Sequence, residues 1–341
     1  MQTKYDAVVY IGRFQPIHNI HLEIIKKAAA LAGKVIVIVG SDKQPRTYKN
    51  PFTSEERALM IVNACKDAGV EQSVTVDFIH DSIYNDQAWA VRIQAIVAEQ
   101  VHPESKTAII GHKKDGSSFY LDMFPQWQLE DVGQIEMLNA GNIRELFFKR
   151  DGNLNFLKSV VPPSTFAFLE NFQHGEAFQQ IIREREFIAG YQQQFQHTPY
   201  PPVFVTADAI VIQSGHVLMI KRRAEPGKGL WAFPGGFLDA ENDKSVKDCA
   251  IRKLKAETHI KVPVPALYGH IEDSRVFDAV NRSARGRTIT HAFKIVLPDG
   301  ELPKIKGQDH AEKAKWIPIA ELDPAQCFED HYEILQNFLG N

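Results

Sequence analysis

The sequence predicts an α/β protein: a doubly wound parallel sheet in its first half, followed by an α+β domain. Three observations carry this. Short Val- and Ile-rich runs alternate with helix-period stretches over the first 150 residues. A proline cluster at 199–202 ends that regime, since proline lacks the N–H a helix needs. Beyond it, apolar runs suited to a more antiparallel sheet surround one prominent helix. A length of 341 residues fits two domains. The expected divisions are residues 1–175, a helical and Pro-rich linker at 176–202, and a second domain at 203–341.

In the first domain, the runs 7–11, 35–39, 74–79 and 107–110 read as buried strands, because they are short, β-branched and end at Gly, Ser or Asp. Helices are expected at 22–31, 54–65 and 87–100, the second opened by Thr53 or Ser54 ahead of Glu55 and Glu56. Strands alternating with helices imply a parallel sheet covered on both faces, with ligands outside the carboxyl ends of its strands. Residues 162–196 read as helical. After the prolines, strands are expected at 204–213, 217–222, 267–272 and 288–296, with a helix at 245–257 behind the turn Phe233-Pro234-Gly235-Gly236.

Composition narrows the function. With 44% hydrophobic and 24% charged residues, the chain is an ordinary globular protein rather than a disordered one. A formal net charge of −3 supplies no global basic field, so no nucleic-acid partner is expected and any anion site must be local. The longest apolar runs, such as 35–39, fall far short of the roughly 18 residues that span a bilayer, so no membrane partner is expected. Gly12-Arg13 comes too early for a signal peptide. Cys65, Cys249 and Cys327 form no CxxC pair, which argues against a disulfide framework or a zinc knuckle and fits a cytoplasmic location.

The first chemical signal follows the first strand: Gly12-Arg13-Phe14-Gln15-Pro16-Ile17-His18-Asn19-Ile20-His21. Glycine lets backbone N–H groups approach a phosphate, and a helix N-terminus favours an anion. His18 and His21, three apart on the first turn, face the same way and can both donate to phosphate oxygens, while Arg13 adds a fixed cation. A lone histidine there would read as a cap or a packed ring. Gly-Arg, Pro and paired His together read as a phosphate site.

This run resembles the GRFQPxHxGH segment of nucleotidylyltransferases, specifically nicotinamide mononucleotide (NMN) adenylyltransferases of the type first described in archaea. Asn50-Pro51-Phe52-Thr53 with Glu56-Arg57 resembles that group's NPFT…ER segment. Gly111-His112-Lys113-Lys114-Asp115, Ser117-Ser118-Phe119-Tyr120 and Phe124-Pro125-Gln126-Trp127 resemble the bacterial branch fused to a Nudix domain, and Arg144 ends a segment that is ISSTxxR-like in the family. Two positions depart from the pattern. Ile20 replaces a small residue, where its side chain would crowd the nucleotide, and Asn139-Ala140-Gly141 replaces the hydroxyl run.

The resemblance implies His18, His21, Arg13 and Arg144 as the catalytic set, acting on ATP phosphates, with Arg13 serving either ligand. It implies Gly12, Phe14, Gly111, Asn139 and Gly141 around ATP, and Trp127 and Arg57 around NMN; because the NMN ring is a cationic aromatic that favours stacking, Trp89, with Tyr84 and Asp86 nearby, is a further NMN candidate. No general base is needed, because a nucleotide 5′-phosphate is already ionised and can attack the α-phosphorus of ATP directly. The enzyme must align the reactants and place positive charge on the phosphates, with Mg²⁺ held mainly by pyrophosphate oxygens and water.

Downstream, Leu230-Trp231-Ala232-Phe233-Pro234-Gly235-Gly236-Phe237 leading to Arg252-Lys253-Leu254-Lys255-Ala256-Glu257-Thr258 resembles the Nudix box Gx5Ex7REUxEExGU. Arg282-Ser283 and Arg285-Gly286-Arg287-Thr288 point to its ADP-ribose pyrophosphatase branch. The box works because positions i, i+3 and i+4 of a helix converge, so three glutamates can hold Mg²⁺ against a diphosphate. Here Lys253 and Ala256 stand where two glutamates belong, the early one falls on Lys244 or Asn242, and His259 replaces a glycine. Glu257 is the remaining metal candidate; Gly235, Gly236, Arg252, Arg285 and Arg287 are the nucleotide candidates. Asp239, Glu241 and Asp243 crowd the loop.

The leading expectation is therefore an NMN adenylyltransferase, with ATP, NMN and NAD as partners, carrying a Nudix-like domain of weak or lost activity. A bifunctional enzyme that also cleaves ADP-ribose to AMP and ribose 5-phosphate is the second reading. A non-catalytic nucleotide sensor is the third. A homo-oligomer is left open.

Overall fold

Val and Ile runs become strands because their branched side chains suit a pleated surface buried on both faces. The first is β1 (Tyr5–Gly12), followed by α1 (Asn19–Leu31), β2 (Ala32–Val39), α2 (Ser54–Asp67), β3 (Val74–Phe78), α3 (Asp86–Ala98), β4 (Thr107–Gly111), β5 (Gln128–Asp131), α4 (Ala140–Phe147), α5 (Pro163–Phe172) and α6 (Glu176–Gln193). The computed structural model describes residues 3–113, 116–133, 140–149 and 154–340. It divides into two units, Met1–Ile182 and Arg183–Asn341, with the division inside α6.

The first unit's sheet has the order β3-β2-β1-β4-β5, every pair parallel. Period-two alternation splits its side chains between two cores. Val8, Tyr10, Val35 and Val37 join one that α1 and α2 cover; Ala7, Val9, Ile36 and Ile38 join the other, under α3. Strand order reverses between β1 and β4, so the crevice beyond Gly12 and Gly111 is the topological switch point where ligands bind in such sheets. The expected helix start at Thr53 is a capping box: Thr53 Oγ1 accepts from Glu56 N–H at 3.3 Å, and the Glu56 carboxylate accepts from Thr53 N–H at 2.9 Å.

The second unit contains β6 (Phe204–Gln213), β7 (His216–Arg222), β8 (Trp231–Ala232), β9 (Gly235–Phe237), α7 (Val246–Thr258), α8 (Val264–Gly269), β10 (Ile271–Phe277), β11 (Thr288–Val296), β12 (Ala311–Pro318) and α9 (His331–Leu339). Its sheet runs β10-β11-β6-β7-β12, with β8 on β7 and β9 on β6. The β11–β6 pair is parallel and the others antiparallel, so the sheet is mixed. Cys249, Ala250, Ile251 and Leu254 of α7 pack on Ala207, Ala209 and Val211 of β6. One expected strand is corrected. Residues 267–269 finish α8, because Pro263 and Pro265 suit a helix's first turn, and the strand begins only at Ile271. Among the described residues, no helix is long and apolar enough to cross a membrane.

Candidate functional site

The loop from β1 to α1 is held by close packing and by a reciprocal amide clamp. A side chain at Gly12 would meet the Phe14 ring at 3.0 Å, and Phe14 itself is buried with φ +49°. Phe14 is thus a packing residue: its ring lies edge-on to His21, centroids 4.9 Å apart. Gln15 Nε2 donates to Phe52 O and Gln15 Oε1 accepts from Phe52 N–H, both at 3.0 Å, tying this loop to the Asn50-Pro51-Phe52-Thr53 segment.

His18 caps α1 and stacks on His21, centroids 3.6 Å apart. Its backbone N–H donates to His21 Nδ1 at 3.4 Å. Burial lowers the His18 pKa to about 4, so its ring is neutral near neutral pH. His18 Nδ1 is buried without a hydrogen-bond partner. Ile20 packs against the core that α1 covers.

Positive charge gathers at the same strand ends. Arg144 Nη1 donates to Gln15 O at 2.8 Å, its Nε is buried without a partner, and burial together with the Arg13 charge lowers its pKa to about 10. Lys49 is exposed as a residue, yet desolvation of its ammonium, then repulsion from Arg13 and Arg144, lower its pKa, with Asp81 opposing. Asp81 is itself engaged, accepting from Ser41 N–H at 3.0 Å and Ser41 Oγ at 2.6 Å. Three cations this close together make a local positive field suited to an anion.

Arg57, expected at the NMN, is redirected by the structure. It is buried, and its guanidinium donates to Thr53 O, Arg13 O, Gly40 O, Ser41 O and Ser54 Oγ. With its donors used on the β1–α1 loop and the β2–α2 connection, it positions Arg13 rather than reaching a substrate. On the α3 side, Trp127 is half-buried with one face stacked on Phe124 at 4.6 Å, and Trp89 leans on Tyr120 and Phe124. Tyr84 is half-buried and Asp86 exposed at the start of α3. Gly111 ends β4, where a side chain would meet Leu121 at 2.9 Å. Gly141 is in the first turn of α4, and Asn139 lies outside the described residues.

The second unit holds a cavity of about 340 Å³. Gly235 and Gly236 line it, and only glycine fits at 235, where a side chain would lie 2.1 Å from Asp208 Oδ1. Gly235 N–H donates to Glu257 Oε2 at 3.0 Å; that carboxyl is buried, which pushes its pKa up to about 7. Arg285 lines the cavity, but Arg252 and Arg287 do not. Arg252 is held bidentately by Asp243 at 2.6 Å, and Arg287 lies 3.9 Å from Asp278. Burial also pushes Asp208 up to about 6, and an ion pair between Arg282 and Asp330 is buried beside it.

The chain matches the cytidylyltransferase-like family over residues 9–118 and the NUDIX domain family over residues 203–338. The nicotinamide/nicotinic acid mononucleotide adenylyltransferase of Acinetobacter baylyi is 35% identical over 180 residues, 52% of this chain and 92% of that protein. The crystal structure of a bifunctional NMN adenylyltransferase/ADP ribose pyrophosphatase from Francisella tularensis superposes with a TM-score of 0.91 at 34% identity, covering 99% of both chains. The chain belongs to the NMN adenylyltransferase–Nudix fusion family. A structure of a Francisella tularensis member complexed with AMP and a manganese ion superposes with a TM-score of 0.90 at 34% identity, covering 98% of this chain and 99% of that one.

Within this fusion family, the second unit invites a test for a helix-borne cation site. On the α7 face where three carboxylates would converge stand Lys253, Ala256 and Glu257, and Glu257 is tied to Gly235. Among the described residues, no three His, Cys, Asp or Glu side chains are placed to share a metal ion. Sequence reasoning missed Lys49 and the positioning work of Gln15 and Arg57. Lys49 had a signal, since it directly precedes the Asn50-Pro51-Phe52-Thr53 segment. The other two had none, because most of their partners are backbone atoms far away in sequence.

Proposed function

We propose that the first unit joins NMN to the adenylyl group of ATP, giving NAD and pyrophosphate. The observation that carries this is the gathering of Arg13, Lys49 and Arg144 with the His18–His21 stack at the switch point of a parallel sheet. The NMN phosphate is the nucleophile, so the protein's task is to hold two polyanions in line and stabilise charge as it moves onto pyrophosphate. Arg13 and Lys49 draw the phosphates together, Arg144 and His18 Nε2 donate to the triphosphate, and the half-buried Trp127 offers its ring to the nicotinamide. A divalent cation carried by triphosphate oxygens and water would neutralise part of that charge. The test is incubation with ATP, NMN and Mg²⁺, following NAD by chromatography. NAD formation that needs both substrates supports the reading, and its absence overturns it.

For the second unit we infer that ADP-ribose hydrolysis is slow or absent. Lys253 in place of a carboxylate turns attraction for a dication into repulsion, several kcal/mol at about 4 Å for an effective dielectric near 20. Rapid release of AMP and ribose 5-phosphate with Mg²⁺ or Mn²⁺ would overturn this.

A further inference from the structure

Lys49 occupies a place that its charge disfavours. Its ammonium is desolvated, and Arg13 and Arg144 repel it, with Asp81 opposing. A long, flexible side chain so placed turns out to water unless its backbone is held. The backbone is held by nested hydrogen bonds. Innermost, Thr47 N–H donates to Asn50 O at 3.2 Å and Asn50 N–H donates to Thr47 Oγ1 at 3.1 Å, closing a turn with Tyr48 and Lys49 at its tip. Around that turn, Arg46 Nη1 donates to Pro51 O at 2.7 Å and so joins the two ends of the loop. The same guanidinium grips both carboxylate oxygens of Glu56, Nη1 on Oε2 and Nη2 on Oε1, each at 2.7 Å. Glu56 in turn accepts from Thr53 N–H, which anchors the clamp to the first turn of α2. Side-chain exposures of 27% and 25% and a bidentate geometry separate this pair from surface ion pairs, which hold little. The guanidinium also lies 5.6 Å from the centre of the Phe172 ring, which Phe52 meets edge-on at 5.0 Å.

We propose that Arg46 is a positioning residue of the first unit's site: by joining Pro51 O to Glu56 it closes the 46–52 loop and holds Lys49 against the repulsion of Arg13 and Arg144. The part of Lys49 on a phosphate rests on the function proposed for this unit, whereas the clamp rests on the geometry of the loop. The bonds Arg46 makes are within the protein, so it acts through the lysine it places. Without the clamp, a phosphate must order the loop and draw the lysine in as it binds, and affinity falls by that cost. A loss of this kind raises KM and leaves kcat nearly unchanged.

The test titrates the full-length protein calorimetrically with NMN and with ATP, and follows NAD formation by steady-state kinetics, in Lys49→Met, Arg46→Met and the double variant. Lys49→Met should weaken one of the two ligands by about tenfold. Arg46→Met should weaken the same ligand by about three- to tenfold, raising its KM while kcat stays within about twofold. The double variant should bind no more weakly than Lys49→Met, within about twofold, because Arg46 then has nothing left to position. Arg46→Lys should recover part of the loss, since an ammonium cannot span both Glu56 oxygens as a guanidinium does. Glu56→Gln keeps an acceptor for Thr53 N–H and should show the same loss in smaller measure. Melting temperatures show which variants are folded. Folded Arg46→Met at wild-type affinity overturns the proposal, as do losses that multiply in the double variant, or Lys49→Met that weakens neither ligand. Where Arg46→Met does not fold, Glu56→Gln with and without Lys49→Met decides by the same comparison. A wild-type protein that forms no NAD would sink the adenylyl-transfer reading instead, and the titrations would still judge the clamp.

Discussion

His18 and His21 stack at 3.6 Å, one ring buried and neutral, and the proposed reaction takes each ring as a donor held in place before substrate arrives. Donors of this kind act most strongly on charge that develops during reaction. Replacing either by Ala should therefore lower kcat at least about a hundredfold, and KM much less. Steady-state kinetics of both variants checks this, and near wild-type kcat in either would remove that ring from the reaction. Trp127 presents a different balance, with one face packed on Phe124 and the residue half-buried. Trp127→Ala should weaken NMN binding by about 1–2 kcal/mol and leave ATP affinity nearly unchanged. Equal loss for both substrates would make Trp127 a core residue.

Loops and helices are joined here by single side chains. Arg57, carried on α2, holds the carbonyls of Arg13, Gly40 and Ser41, so one guanidinium ties the ends of β1 and β2 to a helix. Arg57→Met would strand those buried carbonyls and should cost about 3 kcal/mol or more of stability, with a fall in kcat as Arg13 loosens. Thermal melting and kinetics together check it; an intact melting temperature would contradict the structural assignment. On α7, Lys253, Ala256 and Glu257 share one face, so Lys253→Glu with Ala256→Glu should raise Mg²⁺-dependent ADP-ribose hydrolysis, while neither change alone suffices. An unchanged rate of AMP release in the double variant would contradict that geometry. At this scale the sequence was legible where periodicity is strong. Residues 7–11 and 35–39 lie within β1 and β2, and 54–65 within α2. It was not legible at β5, whose Gln-Leu-Glu-Asp is polar because the strand is a half-exposed edge, nor at 267–269, where prolines outweighed an apolar run. The β1–α1 loop could be singled out because its residues are consecutive. Arg57's work could not, because hydrogen bonds to backbone leave no mark on the partner residues.

Across the whole molecule, buried acids set a pH response. Burial pushes Asp208 up to about 6 and Glu184 up to about 7, Glu225 adding to the latter, and both residues belong to the second unit. A carboxyl raised above its ordinary value keeps its proton in the folded state while the unfolded chain has released it. The unfolded state then binds fewer protons, and stability falls as pH rises from about 4.5 through about 7. The protection factors of the α7 amides, measured against intrinsic exchange at each pH, should accordingly fall between pH 5 and pH 8. Glu184→Gln, which keeps an acceptor for Gly227 N–H, should slow that exchange at pH 8 and change little at pH 5. A variant that behaves alike at both values would show that Glu184 is not the titrating group.

The β1–β4 pair that creates the switch point also dictates when the crevice can exist. Ala7 lies beside Thr107, so the partners are 107 − 7 = 100 residues apart in the chain. Contacts of such separation form slowly, because loop closure precedes any reward from pairing. As the chain leaves the ribosome, β1 and β2 can pair while one edge of β1, rich in Val and Ile, waits for β4. The loop from β1 to α1 is synthesised well before β4, so the crevice it faces closes only after residue 111 has emerged. An unpaired apolar edge in that interval is the nascent protein's exposure to aggregation, and the natural place for a chaperone to act.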